Sequence, residues 1–390
     1  MTVERRFAVL GLGGIGSGVA YRLARRGGGD VIGLERFELG HARGASEDHS
    51  RIIRRSYHTP GYVRLAGAAY EAWTELESEL GEQLILRTGG LDLWPDGAAI
   101  PMDDYTASLR REGVPFEELD AAEVMRRWPP WRLFDDVLAV FQPDGGILPA
   151  SRCNDAHRRM AVEHGAMLRD RSTVNDIHES GGEVTLEVQG ERVVCESLVV
   201  CADAWTNDVL GMLEVDPLPL TFTKEQVVYL EPADPALFHP DRFPIWIWMD
   251  DPSFYGFPAF GEPAPKVAQD VGGPELSHPD RRRDEPDPGA LERVRAFVEE
   301  HLPEAAGPVR LVRVCQYALT PDRDIVLDRV PGHPQVLVVL GAAHGFKFAS
   351  LFGDIAADLL LDGETKHDLA AFRLDREVLT MDDPPKHFLI

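Results

Sequence analysis

Gly11, Gly13 and Gly16, spaced G-x-G-x-x-G, follow the apolar run Phe7–Leu10 and open the helix-like stretch Ser17–Arg26, with a second strand at Val31–Glu35. That order of strand, glycine turn, helix and strand is a βαβ unit, and it commits the chain to a parallel sheet at its N-terminus. The glycines permit a tight turn and a close backbone approach, so the helix N-terminus can meet a pyrophosphate. Glu35 ends the second strand, where a carboxylate can take a ribose hydroxyl. The motif does not separate one dinucleotide from another and is silent on the reaction. A chance glycine-rich turn is the competing reading.

The composition of the 390-residue chain bounds the partners. A formal charge of −25 repels nucleic acid and anionic lipid, so neither is expected to bind. An anionic substrate then needs a local cluster of Arg and Lys that overrides the field. The four cysteines, Cys153, Cys195, Cys201 and Cys315, form no CxxC and no metal-type spacing with His, which fits a reducing cytosol and no metal. No apolar run is long enough for a bilayer, and the first residues lead straight into a strand. A soluble cytoplasmic protein is the expectation.

Along the chain, 61–80 reads as an amphipathic helix and Leu84–Trp94 as strand, turn, strand. Short helices are predicted at Tyr105–Arg111 and Ala121–Arg127 and a longer one over 151–165, then two strands joined by Ser180-Gly-Gly and an apolar strand at Ser197–Cys201. Phe222 to Phe260 suggests an antiparallel sheet. The stretch 262–289 reads as surface loop, with Arg281, Arg282 and Arg283 a solvated face. Val336–Leu340 is a last buried strand, followed by a helix over Ala349–Leu361.

In order, the fingerprint, Ser50-Arg51-Ile-Ile-Arg54, Tyr255-Gly-Phe-Pro258, Lys266, Val314-Cys315-Gln-Tyr317, Gly341 to Ser350 with His344-Gly-Phe-Lys347-Phe348, and His367-Asp-Leu through Phe372-Arg-Leu are present. Together they resemble the monomeric sarcosine oxidase and N-methyltryptophan oxidase family over nearly the whole chain. The resemblance implies an α/β fold: a discontinuous Rossmann-like FAD-binding domain (1–85, 146–218 and 318–390) and a substrate domain with a mixed, mostly antiparallel sheet (86–145 and 219–317). It also implies a monomer that binds FAD, oxidises a secondary amino acid or amine and passes electrons to O2 as peroxide.

The resemblance further implies a thioether from Cys315 to the flavin, a carboxylate clamp of Arg54 and Lys347, Arg51 near the flavin ring, Lys266 promoting the reaction with oxygen, and active-site roles for Tyr255 and Tyr317. The cofactor set is then Gly11, Gly13, Gly14, Gly16, Glu35, Arg36, Ser46, Arg51, Val174, Cys315, Gly345, Phe346 and Lys347. Read alone, each residue has a plainer alternative. Cys315 is equally a core thiol, Lys266 a solvated lysine, the tyrosines core, and the arginines and Lys347 partners in surface ion pairs. Trp246 and Trp248, two apart on a strand, share one face, read here as the ceiling of an apolar pocket.

Three departures put the substrate in doubt. Ser46-Glu-Asp-His49 replaces the family's His-His-Gly-Asp, which exchanges one histidine for Glu47. Asp270 stands at another histidine, where an anion should disfavour a second substrate carboxylate. Asp203 stands where the family has glycine. Besides an oxidase, the sequence leaves open a flavin dehydrogenase or biosynthetic imine-forming enzyme, a nicotinamide-dependent Rossmann enzyme with a structural Cys315, and a non-catalytic flavin module.

Overall fold

The computed structural model describes residues Thr2 to Leu389, which form an α/β architecture around two large sheets. The first sheet has eight strands. Thr2–Leu10 lies at its centre, parallel to both Glu191–Val200 and Val31–Leu34. His333–Leu340 adds in parallel beside the C-terminal half of Glu191–Val200. The run Phe7–Leu10 is fully buried, as a parallel strand covered on both faces must be. Helices Gly14–Gly27 and Ala349–Leu361 cross on one face of this sheet, and Gly18 lets them touch: a Cβ there would lie 2.4 Å from the Ala349 carbonyl oxygen. The helix expected over 61–80 spans Pro60–Leu80. Thr59 caps it, accepting from the Tyr62 amide, and Gly81 ends it at φ +71°.

The second sheet has nine strands and is mostly antiparallel, with Thr221–Leu230 paired along its length to Val309–Leu319. That pairing carries Cys315 opposite Glu225. The stretch expected as surface loop, 262–289, instead contributes the strand Lys266–Gln269, inserted between Thr221–Leu230 and Phe254–Phe257. Four residues among prolines carry little local signal, and their strand state comes from non-local pairing. Arg282 departs from a solvated face as well: its guanidinium turns inward and donates to the carbonyls of Ala42 and Arg43.

Trp246 and Trp248 do share a face, but it is the wrong one for a pocket ceiling. Trp246 stacks on Phe297 at 5.5 Å and Trp248 on His301 at 4.4 Å, both on helix Pro288–His301 behind the sheet. Ile247, between them, faces the cavity described below. Alternation identifies which residues share a side, and packing decides which side is inside. Among the described residues no helix is long and apolar enough to cross a membrane.

Candidate active site

Two cavities meet along the edge of the first sheet, where open α/β sheets bind ligands. One, of about 390 Å³, lies over the glycine turn and is lined by Gly11, Gly13, Glu35, Arg36, Ser46 and Val174. The turn is tight enough to require glycine. Gly11 sits at φ +91°, and a Cβ on Gly16 would fall 1.8 Å from the Gly11 carbonyl oxygen. Glu35 is buried and fixed by the amides of Leu12 (2.9 Å) and Phe37 (3.0 Å), so its carboxylate faces the cavity in one orientation. Ser46 accepts from the Gly14 amide at 2.9 Å, and Arg36 lies over the Phe37 ring in an ion pair with Asp280. Asp203, a departure from the family glycine, holds the left-handed backbone that explains that glycine, at φ +46°.

The second cavity, of about 440 Å³, shares Gly13, Ser46 and Glu47 with the first and runs on between the two sheets. Its walls bring together Arg51, Arg54, Tyr255, Lys266, Cys315, Tyr317, Gly345, Phe346 and Lys347. Arg51 is anchored to the carbonyls of Ala45 (2.7 Å) and Glu47 (2.6 Å). The two tyrosine hydroxyls stand 3.4 Å apart. Burial pushes the Cys315 thiol up to about 11, against the pull of the Arg51 cation. Glu47 borders both cavities and accepts from the Ser151 hydroxyl at 2.8 Å.

Lys266 is buried on its strand, which removes the solvated-surface reading. Its ammonium donates to Asp48 at 2.9 Å and to the Ser50 carbonyl at 2.8 Å, and sits 3.9 Å from the centre of the Phe257 ring. Burial lowers Lys266 to about 8 even though the Asp48 charge opposes the shift. Against burial, Lys266 and Arg51 hold the Asp48 carboxyl well below the usual carboxylate range. Asp48 also accepts from Tyr229 at 2.8 Å, and it occupies φ +108°, a backbone that only glycine adopts freely. The family glycine falls at this place, so the chain keeps the strained turn and adds a charge.

Arg54, nine-tenths or more buried, lies 3.4 Å from Asp92 and over the Tyr57 ring, and its Nε has no partner. Lys347 lies in the turn Gly345–Phe348, which is entered through Ala342 and Ala343, both at positive φ, and is pinned where the Trp73 indole donates to the Lys347 carbonyl at 2.7 Å. Its ammonium has one hydrogen-bond acceptor, the His344 carbonyl at 3.2 Å, and among the described residues no carboxylate partner. Burial, with the Arg54 and Arg323 cations, drives Lys347 well below the usual lysine range. Asp270, expected to present a bare anion, does not: Arg323 grips both its oxygens, at 2.6 and 2.9 Å.

The residues that sequence reasoning missed are therefore Asp48, Asp92 and Arg323. Asp92 had a signal, a carboxylate inside the buried run Gly90–Trp94 that must find a cation. Asp48 had one in its replacement of a family glycine. Arg323 had none, because its partner comes from a different strand.

A site of this kind, a dinucleotide cradle continuous with a cation-rich cavity, belongs to a recognisable class: the chain is a member of the FAD dependent oxidoreductase (DAO) family, whose model matches residues 6–359. Within that class it is 30% identical over 376 residues to monomeric sarcosine oxidase of Bacillus sp. (strain B-0618), covering 95% of this chain and 96% of the relative. It is 29% identical to N-methyl-L-tryptophan oxidase of Salmonella agona (strain SL483), covering 94% and 98%. The solved structure of NikD, an unusual amino acid oxidase essential for nikkomycin biosynthesis, superposes with a TM-score of 0.85 at 25% identity, covering 95% and 97%. Membership excludes the nicotinamide alternative. The residues fit FAD: the carboxylate of Glu35, fixed by the Leu12 and Phe37 amides, meets the cavity over the glycine turn where a ribose hydroxyl would bind, and that cavity runs on into the second.

Proposed function

We propose that the protein oxidises the C–N bond of a secondary α-amino acid, N-methyl or cyclic, to an imine and passes the electrons to oxygen as peroxide. The observation that carries this reading is Lys347, a buried amine without a carboxylate partner among the described residues, facing the same cavity as Arg54, Tyr255, Tyr317 and Cys315. Burial and the neighbouring cations disfavour its charged form, and an incoming carboxylate supplies the counter-charge that restores it. Arg54 adds the planar fork that a carboxylate matches, with its own Nε still free.

Bound FAD supplies the two-electron acceptor. The chain's own residues do the rest. Arg54 and Lys347 hold the substrate carboxylate, and Ile247 and the tyrosine pair enclose the remainder. The amine binds neutral, so no strong general base is required. Cys315, which lines the same cavity, would carry the thioether tether. Lys266 keeps a cation in the cavity, where it stabilises the charge that develops as oxygen is reduced.

A second reading, a flavin dehydrogenase or biosynthetic imine-forming enzyme, draws support from the Lys266–Asp48 ion pair, which leaves the lysine less free charge to offer oxygen. Anaerobic titration of the flavin band with sarcosine, N-methyltryptophan, proline, pipecolate and primary amino acids tests both. Bleaching by a secondary amino acid followed by stoichiometric peroxide in air supports the oxidase. Bleaching with turnover only on an artificial acceptor supports the second reading, and a band that no amine bleaches refutes amine oxidation of this class.

A further inference from the structure

Asp270 and Arg323 form the best-aligned ion pair in the substrate cavity, and neither has a role in the chemistry above. Asp270 follows the strand Lys266–Gln269 and is fixed through its own amide, which donates to the Ser253 carbonyl at 2.9 Å. Arg323 stands in the turn between the strands Val309–Leu319 and Val326–Val330, at φ +58°, a conformation that only the surrounding structure can impose on an arginine. Its two terminal nitrogens meet the two Asp270 oxygens, and one of them also donates to the Phe388 carbonyl at 2.6 Å. The Arg323 side chain is 3% exposed and that of Asp270 18%. With the remaining Nε unpartnered, the guanidinium is held rigidly in the cavity wall.

That wall continues to the clamp. The Arg323 carbonyl bonds the His344 ring nitrogen Nε2 at 2.9 Å, and the His344 carbonyl accepts from Lys347 at 3.2 Å. Of the buried basic groups in this wall, Arg54 has Asp92, Arg323 has Asp270, and Lys347 lacks a carboxylate among the described residues; Arg313, which also borders the cavity, is exposed to solvent. One unpaired buried amine matches one incoming carboxylate.

We propose that the Asp270–Arg323 pair is a charge-selecting element: by cancelling the second cation of this wall it restricts the cavity to amino acids with a single carboxylate and an uncharged remainder. A second carboxylate buried against this wall finds no free cation there, and must either displace Asp270 from a bidentate grip or stay unpaired. Either outcome weakens binding by about a hundred-fold or more. Arg323 and Asp270 act on specificity and do not act on the reacting atoms. The inference rests on the carboxylate clamp proposed above.

The test uses N-methyl-L-asparagine and N-methyl-L-aspartate, which differ by an amide for a carboxylate. Each is titrated anaerobically into the flavin-loaded protein, and dissociation constants are read from perturbation of the flavin band alongside kcat/KM. The wild type is expected to favour the amide about a hundred-fold or more. Asp270→Asn, which frees Arg323, should shrink that preference at least about ten-fold. The double variant Asp270→Asn/Arg323→Gln is charge-neutral like the wild type and should restore it. A wild-type ratio near one, or a ratio that Asp270→Asn leaves unchanged, overturns the proposal while the clamp stands. If neither compound perturbs the band in a protein that retains flavin, the clamp itself falls and this inference with it.

Discussion

The Asp48–Lys266 pair yields a prediction that can be carried to numbers. Lys266 titrates at about 8 with Asp48 in place. An opposite charge at 2.9 Å in a buried setting supports the charged form by ~1–3 pKa units, or ~1.4–4 kcal/mol. Replacing Asp48 by Asn keeps the shape and removes that support, so Lys266 should fall to roughly 5–7. At pH 7 the wild-type lysine is then about nine-tenths protonated, and in a variant with a value near 6 only about one-tenth. The assay is stopped-flow reoxidation of the reduced protein by oxygen between pH 5 and 10. The cation is the active form, so the rate falls as pH rises through the lysine's value. The wild-type decline should centre near pH 8, and the Asp48→Asn decline about 1–3 units lower, with a similar limiting rate in acid. Asp48→Gly should shift the profile alike; it relaxes the φ of +108° but leaves Lys266 and Tyr229 without their shared partner. Superimposable profiles for Asp48→Asn and wild type would refute control of the lysine by Asp48. A decline near pH 8 that survives in Lys266→Met would assign it to another group.

Three further outcomes are expected. Lys347→Met should raise the KM of amino-acid substrates about 10- to 150-fold, the weight of a charge-assisted hydrogen bond, while leaving flavin binding intact; equilibrium binding of substrate to both forms checks it. Intact-protein mass spectrometry of the denatured wild type should show FAD retained on the chain, and Cys315→Ala should release it into the supernatant; a wild type that releases all its flavin removes the tether. Trp248→Ala should lower stability by about 3–5 kcal/mol in denaturant titration without altering the KM of the folded fraction, because the indole packs on His301 behind the sheet.

The parts legible in the sequence are those whose physics is local. The glycine turn, the helix Ala349–Leu361 and the helix expected over 61–80 need only neighbours within a few residues, and each lies where the pattern places it. Lys266–Gln269 is a strand only because Thr221–Leu230 and Phe254–Phe257 flank it, a fact no window of four residues contains. The same limit explains the tryptophans, since alternation fixed their shared face and helix Pro288–His301 decided what that face meets. The pairing of Asp270 was illegible for a related reason. A charge read from sequence is a formal charge, and its effect depends on a partner 53 positions away.

Four residues other than glycine that hold a positive-φ backbone, Asp48, Asp203, Arg323 and Ala343, line the two cavities. Glycine would relax the backbone at each by about 1–3 kcal/mol, but at Asp48 and Arg323 it would also strand Lys266 or Asp270 without its buried partner, at about 3–5 kcal/mol. The strained backbone at those two positions is therefore held in place by the ion pairs that shape the site. Selection for thermostability alone should accept glycine at Asp203 and Ala343 and reject it at Asp48 and Arg323, so that the residues governing acceptor and substrate are protected by the stability of the fold itself.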